Sequence, residues 1–134
     1  MSNEIIHPEG WKAAKGYANG ISAPASGRVI YVGGQIGWNA DQVFECHDLL
    51  GQMEQTLRNV LAVVEAGGGS AEHIVRLTWY VTDKKDYVSR QQEVGAIYRK
   101  VMGRHFPAMA MVQVADLMED EALVEIEATA VLPE

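Results

Sequence analysis

The sequence predicts a two-layer α+β fold in which a mixed β-sheet carries two helices on one face. Three observations lead there. Segments patterned as strand and helix follow in the order strand, strand, strand, helix, strand, helix, strand, strand. Each helical segment has a single apolar stripe, which suits packing on one side of a sheet. The chain of 134 residues, 48% hydrophobic and 22% charged, is long enough for one core and too short for two. A single domain over 1–134 is therefore expected.

Ser2 to His7 reads as a short edge strand halted by Pro8 and Gly10, and GYANGIS, 16–22, as a second short strand. Pro24, Ser26 and Gly27 are turn formers. RVIYVGG, 28–34, is β-branched and apolar, the mark of a buried strand, and 37–41 is loop. Over 46–66, Leu49, Leu50, Met53, Leu57, Val60, Leu61 and Val64 recur at three- and four-residue steps, which predicts a helix with Glu54, Arg58 and Glu65 off the buried face. Gly67 to Gly69 end it, since glycine takes the left-handed conformation of a C-terminal cap. A phosphate loop is disfavoured because these glycines leave a helix instead of entering one.

Next comes a strand over 73–81, with Val75, Leu77, Trp79 and Val81 on one face and Arg76, Thr78 and Tyr80 on the other. Asp83 is placed to cap a second helix over about 85–102, whose apolar face is Tyr87, Val94, Ile97, Tyr98 and Val101. Strands over 108–114 and 123–131 complete the series. With both helices on one side, nothing in the chain is left to cover the other side of the sheet. An uncovered apolar face marks association, so a homo-oligomer is expected.

The formal net charge of −7 and a pI near 5.0 argue against nucleic acid or an anionic membrane as partner, because both need a basic face. A single cysteine, Cys46, rules out an internal disulfide and suits a reducing compartment. The N-terminal stretch lacks the pattern of a secretion signal, and no apolar run nears the roughly 20 residues of a membrane span. A cytoplasmic location is expected. The four histidines lack metal-ligand spacing, so no zinc site is expected. Cys46, at the predicted helix start, reads as structural.

The last strand holds the most unusual chemistry. Val124, Ile126, Ala128 and Ala130 form one apolar face, while Glu125 and Glu127 lie on the other, roughly 7 Å apart at a rise of about 3.3 Å per residue. Two readings stand: a solvated charged face, or a partly buried acid whose raised pKa lets it move a proton near neutrality.

Six collinear stretches resemble the RidA family of enamine and imine deaminases, also called YjgF. They are KGYANGI at 15–21, IYVGGQIGWN at 30–39, QTLRNVLAVVEAGG at 55–68, IVRLTWYVTD at 74–83, FPAMAMVQV at 106–114 and VEIEATAV at 124–131. The resemblance implies a chorismate-mutase-like α+β fold and a homotrimer with a central β-barrel and clefts between subunits. It implies hydrolysis of reactive imines to a carbonyl compound and ammonia, without metal or organic cofactor. Carried over residue by residue, Tyr17 matches the aromatic that lines the cleft. Gly34 matches a backbone contact, with Gly33 in place of a serine. Glu125 matches the carboxylate that positions water, and Trp38 follows a loop that approaches the cleft.

The chain departs from the family at FPAM, where many members have FPAR and the arginine pairs with the substrate carboxylate. Met109 stands in its place and Met111 where many have cysteine, with Ala110 between them. A methionine cannot replace a bidentate, charge-assisted pair. The resemblance therefore points to an arginine-lacking branch. Its substrate would suit a more apolar pocket of Trp38, Met109, Ala110 and Met111, such as a 2-aminomuconate-like ring-cleavage product. Arg104, His105 and Arg76 are the other cations considered. The alternatives to a deaminase are a non-catalytic trimer that binds a small metabolite, and an accessory subunit.

Overall fold

The computed structural model describes residues 2–133. Strands β1 (Glu4–Ile6) and β2 (Gly20–Ser22) pair as a small antiparallel ribbon. The main sheet has the order β3-β6-β4-β5, built from β3 (Arg28–Ile36), β4 (Ile74–Val81), β5 (Ala108–Gln113) and β6 (Val124–Leu132). Strand β6 runs antiparallel to both β3 and β4, while β4 and β5 are parallel. The sheet is mixed, as expected.

Helix α1 (Leu49–Ala66) lies between β3 and β4 in sequence. It covers the sheet with Leu49, Met53, Leu57, Val60 and Val64, which pack on Leu77, Val124, Ile126, Ala128 and Ala130 of the central strands. It begins after Asp48, so Cys46 precedes the helix and instead sits against Gly51. Gly68, at φ +93°, supplies the left-handed residue beyond its end.

The buried face of α1 is wider than its apolar stripe. Gln52 and Thr56 are both fully buried. Gln52 Nε2 donates to the carbonyls of Cys46 (3.2 Å) and Glu121 (2.8 Å), and its Oε1 accepts from the Leu123 amide (2.8 Å). The Thr56 hydroxyl donates to the Gln52 carbonyl at 2.7 Å. One side chain thereby joins the entry to α1 with the turn before β6, and its polarity is fully paired.

The expected second helix is two. Asp83 does cap α2 (Lys84–Ser89), its carboxylate accepting from the amides of Lys85 and Asp86. The helix then breaks at Arg90 (φ −124°, ψ 26°), and α3 (Gln91–Met102) follows. The Ser89 hydroxyl donates to the Asp86 carbonyl at 2.9 Å, and the Arg90 amide turns to the Tyr87 carbonyl at 3.1 Å. A serine hydroxyl competing for a helix carbonyl is a known way to interrupt the ladder. A second correction concerns β4. Its register against β6 shifts between Ile74 and Arg76, so Ile74 enters the core and Val75 is displaced.

Gln52→Leu should cost about 3 kcal/mol, since it removes the partner of two carbonyls and an amide and leaves them half-buried. Chemical denaturation compared with wild type checks this, and a change below about 1 kcal/mol would show that the clamp is not needed.

Candidate functional site

The expected site residues fall into two groups on opposite faces of the sheet. Strand pairing sets this division. Met109 lies opposite Leu77 and Met111 opposite Trp79, and both of those β4 residues are buried on the helix side. Glu125 lies opposite Tyr80, and Glu127 opposite Thr78, on the other side.

The helix-side group is a cavity of about 500 Å³ between the β5 edge and α3. Met109, Met111 and Tyr17 all line it. Tyr17 is brought there by its neighbour Ala18, whose amide donates to the Pro107 carbonyl at 3.0 Å and which bridges to Ala108. The inner wall is aromatic: Tyr98 stacks on Phe106 with centroids 5.2 Å apart and meets Trp79 at 6.4 Å. The Tyr98 hydroxyl donates to the His105 carbonyl at 2.6 Å, which fixes the approach to β5. Burial pushes the Tyr98 phenol well above its ordinary range and raises that of Tyr87 as well.

The second group surrounds a bulge in β3. Pairing with β6 shifts between Val32 and Gln35, so Gly33 and Gly34 together oppose Glu127. A Cβ at Gly34 would run into Glu125 Oε2 and lie 2.9 Å from its Cδ. The glycine is thus what lets the carboxyl group lie against the β3 backbone. Gly33 lines a cavity of about 420 Å³ with Tyr31, Arg76, Thr78 and Glu127. The Tyr80 hydroxyl donates to Glu127 Oε1 at 2.9 Å, and this bond raises the phenol pKa.

Two expected pocket residues lie elsewhere. Ala110 alternates to the outer face, opposite Thr78, and is exposed. Trp38 packs on Phe44 (centroids 5.9 Å apart) and bridges to it, closing the loop after β3, and it lines none of the three cavities described here. The cations considered from the sequence also miss the methionines. Arg104 and His105 line a neighbouring cavity, and Arg76 is on the outer face. Lys15 and Arg99 line the methionine cavity instead. Arg99 follows Tyr98 on α3 and falls one turn beyond Gly95, a spacing visible in the sequence.

The family profile described as Endoribonuclease L-PSP matches residues 9–132. The chain belongs to this family, the RidA/YjgF proteins. It is 36% identical over 134 residues to a 2-iminobutanoate/2-iminopropanoate deaminase of Escherichia coli, covering 98% of each chain. It is 34% identical over 131 residues to a RutC family protein of Haemophilus influenzae, again covering 98% of each. Among solved structures, the conserved Rid-family protein YyfB of Yersinia pestis superposes with a TM-score of 0.83 at 31% identity, covering 98% of this chain and all of that one. The α+β fold is that of the RidA family.

Two predictions follow from the geometry. Gly34→Ala should leave the fold nearly as stable, because the backbone at 34 is not left-handed and only the end of a side chain must move, while shifting the Glu125 carboxyl. A crystal structure of the variant checks the shift. Tyr98, whose folded pKa is raised, adds stability that is complete below pH of about 10 and declines as the pH climbs beyond it. In an alkaline titration its phenolate should appear together with unfolding, and the Tyr98→Phe variant should lose that component of the absorbance change.

Proposed function

We propose that the protein is a RidA-family deaminase that hydrolyses an imine or enamine to a carbonyl compound and ammonia, as a homotrimer with sites between subunits. The observation that carries this reading is the split of the site. Tyr17 and the methionines border one cavity, and Glu125 with Gly34 forms a second group on the opposite face. One ligand cannot touch both groups of a single chain, but it can touch one group from each of two chains. Tyr31, 80% exposed on the outer face, and exposed Val29 and Val112 are the apolar surface such an assembly would bury.

In this reading Glu125 of one subunit positions or deprotonates the attacking water. Water adds to the imine carbon, a proton passes to nitrogen, the C–N bond breaks and ammonia leaves the carbonyl product. Tyr17 and the Gly33–Gly34 backbone orient the substrate. Met109 and Met111, on the cavity side, favour an unsaturated body over a small acid, since thioethers pack well on π-systems. A 2-aminomuconate-like compound fits that description.

The test is ammonia release from 2-aminoacrylate, generated by a serine dehydratase, and from 2-aminomuconate. Wild type should favour the second. Met109→Arg should gain about ten- to a hundred-fold on the first, the value of a hydrogen bond to a charged group. Glu125→Gln should lose about a hundred-fold or more on the preferred substrate. Sedimentation should give three times the chain mass. If wild type accelerates neither reaction and Glu125→Gln changes nothing, a metabolite-binding trimer replaces the enzyme.

A further inference from the structure

We infer that the Arg99 guanidinium receives the carboxylate of the ligand in the methionine cavity, and that this ligand is an amino or imino acid with an unsaturated or aromatic side chain. The inference rests on the preceding reading that this cavity holds the substrate, and it names what that substrate must carry. In a chain of net charge −7, this cavity is lined by two cations, Arg99 and Lys15, and by no aspartate or glutamate. The local sign is therefore opposite to that of the whole protein, which is the condition for drawing in an anion.

Three features point to Arg99 as the principal group. The salt bridges formed among the described residues involve Arg58, Arg90, Lys100 and His47, and Arg99 makes none. Its neighbour Lys100 is held by Glu54, whose carboxyl is kept below the usual range first by Arg58 and then by Lys100. Arg99 is thus the arginine of α3 left to a partner from outside. Gly95, one turn earlier, has no side chain, and a Cβ there would lie 3.2 Å from Arg99 Nη1. The guanidinium folds back over this gap along the rim, and Gly95 lines the same cavity.

The wall opposite is apolar or aromatic, with Met109, Met111, Phe106 and Tyr87. It carries one further polar feature. Trp79 is 3% exposed and its Nε1–H has no partner among the described residues, so a donor is already desolvated within this wall. A ligand with an anionic head at the rim and a flat, apolar body against the methionines and aromatic rings satisfies both ends of the cavity. Strand position 109 is uncharged, and the helix supplies the cation in its place.

Calorimetric titration with phenylpyruvate, and with phenylacetone as its uncharged counterpart, tests the assignment. Wild type, Arg99→Gln and Arg99→Lys are compared at low and at raised salt. Arg99→Gln should weaken phenylpyruvate about ten-fold or more and leave phenylacetone within two-fold. Arg99→Lys should recover part of the loss, and the wild-type preference should shrink as salt rises. A wild type that does not bind phenylpyruvate, or an Arg99→Gln variant that binds it within two-fold of wild type, overturns the inference. Because the readout is binding, failure of the deaminase reading in the ammonia assay remains a separate result. Arg99 is exposed, so the thermal midpoint should stay unchanged and exclude unfolding as the cause.

Discussion

The two-residue period of β6 is the constraint on which the rest of the structure depends. Its even positions from Val124 to Ala130 fill the core beneath α1, and its odd positions from Glu125 to Thr129 look away from the helices. β6 lies between β3 and β4, so its pleat sets the facing of both neighbours and, through β4, that of β5. Slipping any pair by one residue would send carboxylates under α1 and valines into the open. The same alternation separates the acid from the methionines. Within one chain the two groups therefore stay apart.

The helix layer is fastened to this sheet by a polar contact within the apolar one. Gln52 ties the approach to α1 to the turn that starts β6, and Asn59, on the same helix, donates to the carbonyls of Ile36 and Trp38 at the end of β3. Apolar burial is non-directional and would tolerate some sliding of α1. Directional bonds from two positions about two turns apart remove that freedom. They also fix the end of β3, just beyond the bulge on which the Glu125 carboxyl rests.

Much of the fold was legible because periodicity is a direct record of burial. The α1 stripe, the alternation of β6 and the Asp83 cap all stand where apolar spacing and capping chemistry put them. The failures have local causes that periodicity does not carry. Ser89 stops a helix by its hydroxyl, although the apolar pattern continues past it. The displaced Val75 moves the core face by one residue. Gln52 lies off the apolar stripe, and its partners, two carbonyls and an amide of distant turns, cannot be seen in the chain, while Thr56 bonds back to the Gln52 carbonyl one turn earlier. For the candidate site, Tyr17 and the methionines were legible as neighbours through a shared motif pattern, and the geometry brings them together. Trp38 was not, because its loop closes on Phe44, and Ala110 was put in the pocket by its place in the motif although the alternation that unites Met109 and Met111 turns it to the other face. Arg99 was missed because its role depends on α3 lying beside β5, a relation no local window contains.

The attachment of the Tyr17 segment has a kinetic consequence. Among the described residues it bridges the sheet edge at Ala18, itself buried, whereas the opposite wall, Trp79 and Tyr98, belongs to the main core cluster. Breaking one bridge exposes little apolar surface, so the segment can open locally far more often than the domain unfolds. The cavity thus joins a floor from the core to a cover from the N-terminal segment, and the two can be altered by substitutions in separate parts of the chain.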